Sequence, residues 1–122
     1  MPSRGSVGRW GEDQALLHLQ QHGHTLVARN YRCPFGEVDL ITQHGEELVF
    51  VEVKARLSKA YGPPELAVTA SKRQHLRQTA AHFLIAKDYP EAQLWRIDVV
   101  SVLRTPDGLT IDVFENAVGA DE

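Results

Sequence analysis

Charged side chains occupy two apolar segments of this sequence, where a buried strand would not be expected to carry them. The first segment, GEVDLI, holds Glu37 and Asp39, and the second, LVFVEVK, holds Glu52 and Lys54. Side chains two residues apart on a strand point to the same face, so each segment presents its charged pair on one side. A buried charge is unfavourable unless it is paired or binds a metal. These residue types therefore indicate a metal site, since carboxylates are the ligands that Mg²⁺ and Mn²⁺ prefer.

A short polar turn, roughly residues 43–47, separates the two segments and predicts a hairpin of strands 37–43 and 47–55. Such a hairpin would bring Asp39, Glu52 and Lys54 together. Asp39 and Glu52 would then hold Mg²⁺ or Mn²⁺, while Lys54 would position a water molecule or stabilise charge on phosphorus. This set suits phosphodiester hydrolysis. The alternative is a structural ion pair between Lys54 and one of the carboxylates.

The other elements must hold this hairpin in place. Apolar periodicity and end signals predict a helix over 8–21 with Ser6 as its cap, a strand over 24–32, a helix from Thr69 or Ser71 to Lys87, and strands over 93–103 and 109–115. The order α-β-β-β-α-β-β predicts an α+β (mixed α/β) fold, a sheet flanked by helices. We expect one domain over residues 1–122, with a core of about 8–104 and a frayed C-terminal tail.

Several stretches of the sequence resemble the PD-(D/E)XK endonuclease-fold superfamily, and in particular its Holliday-junction resolvases. The stretches GRWGEDQALLHL, RNYR, GEVDLI, VFVEVKAR and RIDVV, with the helix that carries Lys72, are more closely similar to the bacterial YraN-like family. The resemblance covers roughly residues 8–102. It implies a restriction-endonuclease-like core in which Asp39, Glu52 and Lys54 are catalytic. Val38 departs from the superfamily pattern, which has proline before the aspartate.

The resemblance also implies three further acidic residues at the site. Glu12, on the first helix, would be a catalytic and metal-binding carboxylate, and Glu37 and Asp98 would be additional members. Each has another explanation in the sequence. Glu12 lies in the predicted first turn of its helix, where an acidic residue favours the helix dipole. Glu37 is also explained as a partner of Lys54 or a solvent-facing residue, and Asp98 as the partner of Arg96.

Charge is unevenly distributed along the chain, although the net charge is only −3. Residues 37–53 sum to −5, and residues 54–77, which follow directly, sum to +5. An acidic site that binds cations next to a basic stretch that contacts a polyanion would produce this order. The predicted nucleic-acid-binding residues are Arg56, Lys59, Lys72, Arg73 and Arg77. A solvated helix face with a basic loop is the alternative.

Composition narrows the functional classes. No apolar run approaches the ~20 residues that span a bilayer, and the N-terminus lacks the apolar segment of a secretory signal. Cys33 is the only cysteine, which agrees with a reducing compartment. We therefore expect a cytoplasmic protein without a membrane partner. We predict a Mg²⁺- or Mn²⁺-dependent endodeoxyribonuclease acting on branched or processed DNA, for which two-fold junctions would favour a homodimer. The alternatives are a non-catalytic nucleic-acid- or protein-binding module with the nuclease fold, and a ribonuclease.

Overall fold

The part of the chain that the structure describes forms two helices and five strands. The computed structural model describes residues 4–57 and 68–118, and side chains from residue 7 onward. The elements are α1 (Arg4–Gln21), β1 (Thr25–Cys33), β2 (Gly36–His44), β3 (Glu47–Arg56), α2 (Ala70–Ala86), β4 (Trp95–Thr105) and β5 (Gly108–Phe114). This order confirms the predicted α-β-β-β-α-β-β arrangement. The tail at 119–122 and nearly all of the basic loop after Arg56 lie outside the described residues.

The strand bounds lie within two residues of the predicted ones, and the main difference is at the start of α1. This helix begins at Arg4, so Ser6 lies inside the helix and the prediction that it is the cap was wrong. Glu12 consequently lies more than two turns inside the helix, and the first turn holds no acidic residue. The helix dipole therefore does not explain Glu12. Helix α2 begins after Thr69, whose side chain accepts a hydrogen bond of 3.1 Å from the Lys72 N–H.

The five strands form one mixed sheet in the order β1-β2-β3-β4-β5. Strands β3 and β4 are parallel, and the other neighbours are antiparallel. A crossover through α2 connects the parallel pair, as parallel pairing requires. Within the described ranges 4–57 and 68–118, neither helix is long and apolar enough to cross a membrane.

One helix covers each face of the sheet. Helix α1 packs Ala15 and Leu19 against one face, and α2 packs Leu76, Ala80 and Phe83 against the other. The central strands are therefore buried on both sides, which explains their almost continuous apolar sequence. The strand residues in the α1 layer are Leu40, Val49, Val51, Val100 and Val102, and those in the α2 layer are Val38, Ile41, Leu48, Phe50, Ile97 and Val99.

Candidate active site

The pairing of β2 with β3 stops one residue before Asp39. The register runs from His44 opposite Glu47 to Leu40 opposite Val51 and goes no further. Beyond this point the Val53 N–H donates a hydrogen bond of 2.7 Å to Asp39 Oδ2. A side-chain oxygen thus replaces the backbone acceptor that continued pairing would supply. The pairing of the two strands thus ends at the edge where the predicted catalytic residues lie.

The alternation of β2 also breaks at Asp39. Val38 packs in the α2 layer and Leu40 in the α1 layer, although residues two apart on a regular strand share a face. Across from Asp39, between the partners Arg29–Leu40 and Tyr31–Val38, lies Asn30. Asn30 has a φ of 50°, in the left-handed region that asparagine tolerates better than most residues. Both strands are thus irregular at the site.

Asp39 and Glu52 bring two carboxyl groups into contact. Burial is the largest cause that raises the pKa of Asp39, to about 8, and the hydrogen bond and charge of Glu52 add to it. The hydrogen bond from the Val53 N–H lowers the pKa of Asp39, and the nearby charge of Glu12 raises it further. Two carboxyl groups can hydrogen-bond only if one is protonated. With its pKa raised to about 8, Asp39 therefore carries a proton near neutral pH unless a cation replaces it.

Two ammonium groups contact the same oxygen of Glu52. Lys54 Nζ lies 3.6 Å from Glu52 Oε2, and Lys72 Nζ lies 3.2 Å from it. Lys54 is on the same strand two residues along, as the alternation of β3 predicts. Lys72 comes from the first turn of α2. The Glu52 side chain is only 6% exposed, so it has few other sources of neutralisation.

Glu12 reaches this edge because α1 packs very closely on β3. A Cβ added to Gly11 would overlap the Cβ of Ala55, so only glycine permits this approach. The next residue, Glu12, accepts hydrogen bonds from Asn30 Nδ2 at 3.1 Å and from Arg29 at 3.5 Å. Its side chain is 14% exposed. Glu12 is thus held beside the carboxyl pair by residues of β1.

The carboxyl groups at this edge are the donors available to a divalent cation. Asp39 and Glu52 supply adjacent carboxyl oxygens whose mutual repulsion a cation would relieve, and Mg²⁺ needs only one or two carboxylates because it keeps several waters. Within the described residues, no three acidic, histidine or cysteine side chains are close enough together to form a larger ligand set. The residues therefore fit a hydrated ion on two carboxylates, with Glu12 nearby.

The other two predicted acidic residues, Glu37 and Asp98, are each paired with an arginine. Glu37 Oε2 pairs with Arg32 Nε at 3.2 Å on the exposed end of β1 and β2. Asp98 lies beside Val51 in the parallel ladder, in the layer opposite that of Glu52. Its carboxylate is completely buried and accepts hydrogen bonds from Arg96 and from the Asn116 N–H.

One of the predicted nucleic-acid-binding residues, Lys72, contacts Glu52, and the other described ones lie on the same two elements, β3 and α2. Arg56 ends β3, two residues after Lys54, and Lys72, Arg73 and Arg77 lie on the first two turns of α2. No acidic residue is present in the first turn of α2. Lys59 falls in residues 58–67, which are not described. The described members thus continue the positive charge that begins at Lys54.

The family model described as "Uncharacterised protein family UPF0102" matches residues 11–102. This span covers most of the chain and includes every described site residue above. The chain belongs to this family. The YraN-like resemblance seen in the sequence is thereby confirmed, since the two descriptions refer to the same family.

UPF0102 proteins of several bacteria are similar to this chain over most of their length. One from Beutenbergia cavernae is 48% identical over 108 residues, which cover 88% of this chain and 91% of the relative. One from Nocardia farcinica is 46% identical over 101 residues, covering 83% and 79%. One from Desulfitobacterium hafniense is 40% identical over 99 residues, covering 81% and 82%. Their descriptions state the family and no activity.

Two residues of the site were not predicted from this UPF0102 sequence. Asn30 was part of the quoted RNYR stretch, but its contact with Glu12 and its left-handed backbone were not foreseen. An asparagine inside a segment with strand character was an available signal, because asparagine is uncommon there. Gly11 gave a similar signal as a glycine inside a helix, where it is unfavourable unless close packing requires it.

Proposed function

We propose that this chain is a Mg²⁺- or Mn²⁺-dependent nuclease that hydrolyses phosphodiester bonds in DNA. The observation that carries the proposal is the contact of the Asp39 and Glu52 carboxyl groups at the point where the pairing of β2 and β3 ends. A fold gains nothing in stability by burying two carboxyl groups against each other. Such a pair, with a strongly raised pKa, is instead typical of a functional site.

Each residue has a distinct role in this proposal. Asp39 and Glu52 would hold the cation, which would supply Lewis-acid activation of the phosphate and a nucleophilic water. Lys54, anchored by Glu52, directs its ammonium group to the attacking water and to the charge that develops on the phosphate oxygens. Glu12, fixed by Asn30, orients a water molecule or a second ion at the same edge.

The basic residues around the site support a nucleic acid as substrate. Lys72 contacts Glu52, and Arg56, Arg73 and Arg77 lie on the two elements that carry Lys54 and Lys72. These side chains would contact backbone phosphates, which position a strand without reading its sequence. By resemblance to the resolvase branch, branched or processed DNA is the proposed substrate class. We place this activity in the cytoplasm, and a homodimer would match a two-fold junction.

A cleavage assay tests the proposal directly. The full chain is incubated with Mg²⁺ or Mn²⁺ and linear, flapped or four-way DNA, and an RNA of the same sequence tests for a ribonuclease. We expect Asp39→Asn and Glu52→Gln each to lower the rate by at least about 1,000-fold, and Lys54→Met by about 100-fold. Glu37→Gln, which removes an exposed carboxylate from the same strand as Asp39, should leave the rate unchanged. Cleavage that survives both Asp39→Asn and Lys54→Met would sink the mechanism.

A non-catalytic binding module is the second candidate. It is favoured by the ion pairs of Lys54 and Lys72 with Glu52, which neutralise this carboxylate without a cation. Calorimetry with Mn²⁺ separates the two functions. A nuclease should take up Mn²⁺ in a manner that Asp39→Asn abolishes, whereas a binding module should bind DNA in a salt-dependent manner without such uptake.

A further inference from the structure

Lys72 contacts the site in a way that its helix does not require. Its Nζ lies 3.2 Å from Glu52 Oε2, closer than Lys54 Nζ at 3.6 Å. A positive side chain in the first turn of a helix opposes the helix dipole, and α2 has no acidic residue there to compensate. Local helix stability therefore does not account for this lysine, and the partner that its ammonium group reaches is Glu52.

The contacted oxygen belongs to a residue that the proposed function assigns to the cation. An ammonium group and a divalent cation cannot both lie against one carboxylate oxygen without strong repulsion. Of the two lysines, Lys72 is the more exposed, at 36% against 28%, and its long flexible stem is attached to a different element from Glu52. It is thus the ammonium group that can leave with less rearrangement.

We propose that Lys72 is a displaceable counter-ion of the active site. It neutralises Glu52 until a divalent cation binds there, and the released ammonium group then turns outward to a DNA phosphate. This inference rests on the proposed function and adds that cation binding and DNA binding are coupled. Because a phosphate stabilises the released lysine, DNA and the cation each strengthen the binding of the other.

Two simpler roles for Lys72 lead to different expectations. If the ion pair only maintained the geometry of Glu52, removing the ammonium group would weaken cation binding. If Lys72 contacted only phosphate, removing it would leave cation binding without DNA unchanged. A displaceable counter-ion competes with the cation, so its removal strengthens cation binding in the absence of DNA.

Calorimetric titration of the full-length chain with Mn²⁺, without DNA, distinguishes these roles. We expect Lys72→Met to bind Mn²⁺ about three- to tenfold more tightly than wild type, because a partly exposed ion pair no longer has to be broken. Lys72→Arg, which keeps the charge, should retain wild-type affinity. Lys87→Gln is the matched control, since it removes one positive charge at the exposed opposite end of the same helix and should change nothing.

The outcomes separate this inference from the proposed function. Mn²⁺ affinity that is unchanged or weaker in Lys72→Met, with a wild-type circular dichroism spectrum, overturns the inference alone. Equal tightening by Lys72→Arg and Lys72→Met also overturns it, since the effect would then not come from charge. Wild-type protein that takes up no Mn²⁺, or takes it up equally with Asp39→Asn, overturns the proposed function and this inference together.

Discussion

The two strands that flank β3, β2 and β4, each carry an aspartate that is shielded from solvent. The two aspartates differ in the hydrogen-bond partners that surround them. Asp98 on β4 receives Arg96 Nε at 3.0 and 3.2 Å and the Asn116 N–H at 2.9 Å. Asp39 on β2 receives the Val53 N–H at 2.7 Å but faces a second carboxyl group, that of Glu52. The negative charge of Asp98 is thus compensated by a mostly buried guanidinium, whereas Glu52 of the Asp39 pair is compensated by two partly exposed lysines.

The difference shows how a structural acidic residue is distinguished from a candidate ligand. Arg96 also binds Glu47 Oε1 at 2.7 Å, so the Asp98 pair belongs to a complete network that ties β3, β4 and the segment after β5 together. Such a network has no need of a ligand. Two carboxyl groups in contact have unfavourable electrostatics that a cation would relieve, which is typical of functional sites.

The largest expected effect is a pH dependence of stability that comes from Asp39. The pKa of this carboxyl is about 8 in the folded protein and near the ordinary aspartate value of 3.8 when unfolded, so the folded state binds more protons between these values. The contribution of Asp39 to stability is therefore present at about pH 4 and is lost as the pH rises to about 8. Urea unfolding of the chain in EDTA across this range, compared with Asp39→Asn, measures it. The wild-type curve should fall relative to the variant, and parallel curves would contradict the pKa assignment.

Asp98→Asn should be the most destabilising of the single substitutions. Removing this carboxylate leaves the guanidinium of Arg96, which is only 10% exposed, without its closest buried partner, and the loss should be about 3 kcal/mol. Urea unfolding at pH 7 measures this value, and Asp39→Asn should show no comparable loss. If both variants lost stability equally, the contrast between the two aspartates would be wrong.

Gly11→Ala tests the close approach that brings Glu12 to the site. The new methyl group would overlap Ala55 and force α1 away from β3, with a loss of about 2 kcal/mol. Gly8→Ala is the matched control, because a Cβ there has no neighbour within 4 Å. It should stabilise the helix by up to about 1 kcal/mol. Equal effects of the two alanines in thermal unfolding would show that the packing at Gly11 is not tight.

Glu37→Gln should have the smallest effect. Glu37 pairs with Arg32, which is 77% exposed, so the unfolding free energy should change by less than about 0.5 kcal/mol. Titration with Mn²⁺ should also be unaffected. A loss of Mn²⁺ affinity in this variant would place Glu37 within the site, next to Asp39. An arginine partner would then not distinguish a structural acidic residue from a candidate ligand.

Local sequence signals were sufficient to predict the helices and strands and part of the candidate site. Runs of Val, Leu, Ile and Phe with interspersed turn residues placed all five strands, and the alternation of β3 put Glu52 and Lys54 on one face. The start of α1 was missed because Arg4–Gly8 carry no strong apolar period. The pairing of Asp98 with Arg96 was among the alternatives, but only the contacts identified it as a complete network.

The sequence alone determined the order of elements, the family and the residue types available for chemistry, since these follow from short-range periodicity and from motif spacing. Only the tertiary structure decided which charges are compensated. The end of the β2–β3 pairing at Asp39, the left-handed Asn30 that holds Glu12, and the reach of Lys72 to Glu52 all join residues far apart in the chain. No local pattern encodes such contacts, because they depend on how the packed helices and strands approach one another.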